Sequence, residues 1–115
     1  MAWYAYCLTE HQTLANGTRS RRPFLFEGIQ GVNGSPVLGY PSGEFAVVVS
    51  EYDRSIADLD EKAVLDHARV VSVCFRNSTV LPFRFGTVFD SEEALHHVIR
   101  NILHHFLAII AVRQH

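Results

Sequence analysis

An α+β domain, an antiparallel-rich sheet with two helices packed on one face, is the fold class that the 115-residue chain predicts. Two kinds of segment point to it. Short aromatic and β-branched runs at residues 2–8, 37–40 and 45–50 have the composition of strands. Two longer segments, beginning near residues 58 and 90, carry apolar residues at helical spacing behind acidic start signals. The order strand, hairpin, helix, strand, helix belongs to a mixed sheet-and-helix layer rather than to a bundle or a parallel α/β fold.

The first strand covers Ala2 to Leu8. Strict alternation places Ala2, Tyr4, Tyr6 and Leu8 on one face and Trp3, Ala5 and Cys7 on the other, a pattern suited to a strand covered on both sides. From Thr9 to Pro23 the chain turns polar, with Asn16-Gly17 and the cluster Arg19, Arg21 and Arg22, so residues 9–23 read as a flexible surface loop. Glycines at 28, 31 and 34 follow, where backbone bends are expected. Val37 to Tyr40 and Phe45 to Ser50 flank Pro41-Ser42-Gly43 and form a hairpin turning at those three residues. Its second arm is apolar on both faces and is expected to lie centrally in the sheet.

Asp58 and Glu61 make a capping pattern for the first helix, which runs to Asn77-Ser78. Ala63, Val64, Ala68, Val71, Cys74 and Phe75 form its apolar side; Lys62, Asp66, Arg69 and Arg76 form the polar side, with Lys62 and Asp66 paired at i, i+4. Thr79 to Phe89 then runs extended, and Pro82, having no N–H to give a ladder, makes it an edge strand or an arch. Asp90 and Glu93 cap a second helix in which apolar pairs alternate with polar pairs every two residues. Residues 108–112 are read as a closing strand, with the last turns of this helix as the alternative.

Charge and composition narrow the function. Ten Lys and Arg stand against twelve Asp and Glu, a net charge of −2, which gives no field for steering toward nucleic acid. The start carries no basic segment ahead of an apolar one, and Arg100, Asn101, His104 and His105 interrupt the most apolar stretch well short of the ~20 residues a membrane span needs. Cys7 and Cys74 belong to no C-x-x-C pair and read as small buried hydrophobes of a reduced, cytosolic protein.

Four of the seven histidines, His96, His97, His104 and His105, lie on the second helix. Adjacent positions and positions two turns apart do not present paired ligands, and Glu93 with His97 is too little for a metal site, so a solvated stripe is expected. His67 differs, because Ala63, Val64, Val70 and Val71 surround it on the helix. It reads as a core histidine held by a backbone carbonyl or by the segment 79–89, the alternatives being a ligand, a catalytic base, or a means of fixing that segment for a partner. Phe83 and Phe85 are expected to share one face, sending Arg84 to the other, either as an internal anchor to Asp90, Glu51 or Asp53 or as a partner contact. The glycines form G-x-x-G-x-x-G, which is neither a dinucleotide fingerprint nor a phosphate loop, and no nucleophile sits in an activating motif. The residues alone yield no catalytic set, no metal site and no cofactor.

Four stretches together resemble a known family. Gly28-Ile29-Gln30-Gly31-Val32-Asn33-Gly34-Ser35-Pro36-Val37, Gly43-Glu44-Phe45-Ala46-Val47-Val48-Val49-Ser50-Glu51, His67, and Thr79-Val80-Leu81-Pro82-Phe83-Arg84-Phe85-Gly86-Thr87-Val88-Phe89 resemble the amino-terminal domain of the gas vesicle F/L proteins (GvpF/GvpL). The resemblance implies a ferredoxin-like domain over residues 1–115, without the family's carboxy-terminal helical domain. It implies a non-enzymatic accessory role in gas vesicle assembly in the cytoplasm, binding the hydrophobic shell protein GvpA and other accessory proteins. His67, Pro82, Phe83, Arg84, Phe85, Gly86 and Thr87 carry over as motif positions and partner-contact candidates, with no catalytic residue among them. Two other functions stay open on the residues: a ligand-binding or enzymatic domain with a pocket near His67 and Arg84, or a dimerising structural domain.

Overall fold

A computed structural model describes residues 2–10, 22–42, 45–53, 55–77, 80–97 and 100–101. At its centre is β1 (Ala2–Glu10), seven of whose nine residues are buried. One edge of β1 pairs antiparallel with β4 (Phe45–Tyr52) along its whole length, from Ala2 opposite Tyr52 to Glu10 opposite Phe45. The other edge is shared by two short strands, β5 (Val80–Pro82) and β6 (Val88–Phe89). β3 (Pro36–Ser42) pairs with β4, and β2 (Phe24–Gln30) with β3, so the sheet reads β2-β3-β4-β1-β5 with β6 beside β5 on β1. Within it, β3-β4-β1-β5 is the antiparallel order of a ferredoxin-like sheet, and the connection from β1 to β3 contributes the extra edge strand β2.

The register of β1 against β4 slips between Ala5 and Cys7. Such a bulge puts two consecutive residues on one side and breaks the two-residue alternation. Tyr4, Tyr6 and Cys7 therefore pack together on one face while Trp3, Ala5 and Leu8 pack on the other, so Cys7 and Leu8 exchange the faces that strict alternation assigns them.

α1 (Glu61–Asn77) lies on the Tyr4–Tyr6 face, where Ala63, Val70 and Cys74 enter a core with Val32, Val37, Val48 and Tyr52. A second helical segment covers 92–97, with 100–101 also helical, and its Leu95 is fully buried against Trp3, Ala5, Tyr40, Val47 and Val49 on the opposite face. The α+β class with two helices holds, but the helices divide between the two faces of the sheet rather than sharing one. β1 and β4 are apolar on both sides, and one helix would leave one of those sides in water.

Both helix starts lie one or two residues beyond the expected caps. Asp60 caps α1, its Oδ1 accepting the Ala63 N–H at 2.9 Å, while Asp58 accepts the Ser55 N–H within the short 3₁₀ turn Ile56–Asp58. Ser91 caps the second helical segment through the Ala94 N–H at 3.0 Å, in place of Asp90. On α1 the buried Asp66 pairs with Arg69 at 2.6 Å rather than with Lys62, and Arg69 also donates to the Gln30 carbonyl of β2. β3 and β4 form the expected hairpin, but Pro41 and Ser42, expected in its turn, are strand residues paired with Ala46 and Phe45, and residues 43–44 between the strands lie outside the described residues. Of the polar stretch 9–23, Thr9 and Glu10 belong to β1; residues 11–21 and the stretch 108–112 lie outside the described residues.

Candidate functional site

The segment from β5 to β6 is one edge strand opened by a turn. Pro82 lies opposite Cys7 and Val88 opposite Tyr4, so residues 83–87 span what Ala5 and Tyr6 span on β1. The ladder is kept at both ends of the turn: the Phe83 N–H donates to the Tyr6 carbonyl and the Ala5 N–H to the Thr87 carbonyl, each at 2.9 Å. Between them the Thr87 N–H and hydroxyl both donate to the Arg84 carbonyl, at 3.2 and 2.6 Å. Gly86 at φ +87° holds the position of this four-residue turn that demands a positive φ.

His67 clasps the turn to the rest of the fold. Its Nε2 lies 3.2 Å from the Phe83 carbonyl and its Nδ1 2.9 Å from the Tyr4 hydroxyl. A carbonyl only accepts, so Nε2 carries the hydrogen, Nδ1 is bare, and the Tyr4 hydroxyl must donate to it. The Gly86 N–H in turn donates to the Tyr4 oxygen at 3.1 Å. The result is a closed chain from Gly86 through Tyr4 and His67 to Phe83, in which every group has a partner and the imidazole is neutral. Burial lowers the His67 pKa below its ordinary 6.5, opposed by the hydrogen bond to Phe83. Burial likewise pushes the Tyr4 phenol up to about 12, opposed by the Gly86 N–H. The rings of Tyr4, Tyr6 and Phe85 surround the imidazole, with centroids 5.6, 5.7 and 5.9 Å away.

The turn separates residues that alternation would have grouped. Phe83 packs on the Trp3 face beside Phe89, whereas Phe85 lies over Tyr4 and His67 on the α1 face. Arg84, between them, is exposed and forms no ion pair among the described residues, so it is no internal anchor. Pro82 is exposed on the edge strand, where its missing N–H costs nothing. All seven motif positions thus belong to one clasped turn: His67 fixes it, Gly86 and Thr87 shape it, and Arg84 and Phe85 are its outward side chains. Both ring nitrogens of His67 are engaged in holding the turn, Nε2 at the Phe83 carbonyl and Nδ1 at the Tyr4 hydroxyl. The open groove lined by Gly28, Ile29, Gln30 and Arg69 involves none of these residues.

A second chain of the same form escaped the sequence reading. The Val32 N–H donates to the Tyr6 oxygen, the Tyr6 hydroxyl to Ser50 Oγ, and the Ser50 hydroxyl to the Pro36 carbonyl, each at 2.8 Å. It seats the short 3₁₀ turn Val32–Gly34 on the sheet, and it explains Gly31, where a Cβ would stand 2.1 Å from the Tyr6 oxygen and 2.6 Å from Ser50 Oγ. Burial raises the Tyr6 pKa against these hydrogen bonds. The available signal was a pair of tyrosines two apart on an otherwise apolar strand, since a buried phenol needs a hydrogen-bond partner. The bulge in β1 also brings Cys7 beside Cys74 of α1, far apart in sequence. The neighbouring Cys74 sulfur, with burial, raises the Cys7 pKa, while the Cys7 thiol lowers that of Cys74, opposed by burial.

A six-stranded antiparallel sheet with helical segments on both faces defines an α+β domain, and comparison with known proteins gives its family. The model of the family "Gas vesicle synthesis protein GvpL/GvpF" matches residues 2–112, and the chain belongs to that family. Among solved structures it is similar to the gas vesicle protein GvpF from Anabaena sp. PCC7120, at a TM-score of 0.67 and 19% identity over 96% of this chain and 41% of that one. It is similar also to GvpF from Microcystis aeruginosa, at a TM-score of 0.65 and 18% identity over 96% of this chain and 43% of that one. The chain therefore spans less than half the length of these solved proteins, and at such identity they show a common fold. No curated protein matches it. Among the described residues no helix is long and apolar enough to cross a membrane.

Proposed function

We propose that this chain serves gas vesicle formation as a binding protein rather than a catalyst, engaging a hydrophobic GvpA-like shell subunit, and with it other accessory proteins, in the cytoplasm beside the growing vesicle. The observation that carries the proposal is membership of the gas vesicle synthesis family over nearly the whole chain. Its physical support is the clasped turn. Arg84 and Phe85 are exposed on a loop held by hydrogen bonds at both ends, beside strands β5 and β6, which pair only with β1 among the described residues. A fixed cation beside an exposed ring, next to an open strand edge, suits capture of an apolar segment with a polar or acidic flank.

Capture of purified GvpA-like shell protein on the immobilised chain tests the proposal, with Arg84→Ala as the probe because that side chain supports nothing in the fold. Binding by the native chain, with weaker capture by a normally folded Arg84→Ala variant, is expected. A folded native chain that captures no shell protein would overturn the proposal.

A further inference from the structure

The chain has two cysteines, and the fold brings them together. Cys7 lies in β1 and Cys74 near the end of α1, and both enter the core on the Tyr4–Tyr6 face, 0% and 4% exposed. Strict alternation would have sent Cys7 to the opposite face with Trp3; the bulge after Ala5 turns it toward α1. The two sulfurs are hydrogen-bond neighbours, and both thiols are free. Neither belongs to the hydrogen-bonded chains that run through His67 and Ser50.

We propose that Cys7 and Cys74 are a reversible disulfide site, reduced at rest and closed by exchange with a small-molecule disulfide, so that oxidation fastens α1 to the central strand. Cys74 is the point of entry. It stands three residues before the end of α1, beside the exposed Phe75 and Arg76, so opening of the last helical turn uncovers it. Cys7 is held on both sides, opposite Val48 of β4 and Pro82 of β5. The Cys7 thiol also lowers the Cys74 pKa, while Cys74 and burial raise that of Cys7, so Cys74 is the first of the two to become the nucleophilic thiolate.

The Cys74 thiolate attacks one sulfur of the small disulfide, whose S–S bond breaks. The departing half leaves as a thiolate and takes up the proton that Cys74 gave. When the helix end closes again, Cys7 Sγ attacks the mixed disulfide at Cys74 Sγ, and the second half departs with the Cys7 proton. Two protein thiols are oxidised to one disulfide, and one small disulfide is reduced to two thiols. The new bond lies opposite Pro82, where the clasped turn begins, and closes the long loop that holds β2, β3 and β4. The inference stands apart from the gas vesicle role, since it uses only β1 and α1.

Incubation of the reduced, folded chain with glutathione disulfide tests it, read by mass spectrometry and thermal melts. Trypsin cuts after Arg19, Arg69 and Arg76 and leaves the two cysteines on separate peptides. A monomer lighter by two hydrogens is expected, with those two peptides joined and Tm raised by about 10 °C. Dithiothreitol should reverse both changes. Cys7→Ala should stop at one glutathione on Cys74, and Cys74→Ala should leave Cys7 unmodified. A native chain that keeps both thiols, or that forms only links between chains or lasting glutathione adducts, would overturn the inference. So would a disulfide that leaves Tm unchanged or lower, or a folded Cys74→Ala chain that takes up glutathione at Cys7 as fast as the native chain reacts.

Discussion

Replacing Tyr4 by Phe removes one oxygen from the middle of the clasp and leaves the ring. The ring keeps its neighbours, Tyr6 at 5.0 Å, Tyr52 at 6.0 Å and Phe85 at 6.4 Å between centroids, so packing is almost conserved. Two hydrogen bonds disappear, from the Gly86 N–H and to His67 Nδ1. Each is worth about 1 kcal/mol net, and more where the group left behind is cut off from water. His67 is 8% exposed, so its bare nitrogen gains little from solvent. We expect a loss of about 2–3 kcal/mol, which for a domain of this size lowers Tm by roughly 8–12 °C. Urea unfolding should show a lower midpoint at unchanged slope, the mark of lost stability rather than an altered end state. The His67 titration, followed by NMR, should also move up toward its ordinary value, because a donor that favoured the neutral ring is gone. A loss under about 0.5 kcal/mol, the range of indifferent surface changes, would refute the clasp as described.

His67 also gives stability a direction with pH. Its folded pKa lies below the unfolded value of 6.5. Above 6.5 both states hold it neutral and it adds no slope; as pH falls below 6.5 the unfolded chain takes up the proton first, and stability is lost until the folded pKa is passed. His67→Leu should flatten that portion of the curve when midpoints are compared between pH 7.5 and pH 5. The two glycines of the Gly-x-x-Gly segment separate steric from conformational need. Gly31→Ala drives a methyl into the Tyr6 and Ser50 oxygens and is expected to cost about 3 kcal/mol or more. Gly28→Ala, at φ +78° with nothing within 4 Å, should cost only the left-handed penalty of about 1–2 kcal/mol, and thermal melts of the two variants give the comparison.

The sequence made elements legible where a single period governs them and obscured them where tertiary contacts override it. α1 ends at Asn77 as its pattern indicates, and the break at Pro82 marked the interrupted edge strand, because the first rests on helical period and the second on a missing donor. Both caps were misplaced by one or two residues because several acids and serines crowd each start, and the choice among them depends on where the chain leaves the preceding strand or turn. The faces of β1 were legible from Trp3 to Tyr6 but not at Cys7 and Leu8, since a bulge changes the phase of a strand without changing its composition. The same slip hid the approach of Cys7 to Cys74 and made α1 harder to orient. Asp66 and Arg69 looked like parts of a solvated face, yet Asp66 is buried beside Arg69, which reaches back to Gln30. That His67 would be held by a carbonyl or by the edge segment was legible from its apolar neighbours; that a tyrosine would occupy its other nitrogen was not, because nothing local pairs residues 63 positions apart.

The central place of β1 has a consequence for synthesis. Its nine residues are made well before either set of neighbours, residues 45–52 on one side and 80–89 on the other. During translation this central strand has first no edge partner and then only one, and its second edge is satisfied only after Phe89 has left the ribosome. Pairings this distant in sequence form late and slowly, and unpaired edges invite association with other chains. The nascent chain is thus most exposed to aggregation before its last short strand emerges, and a ribosome stalled between residues 52 and 80 would hold a half-sheet that chaperones should recognise.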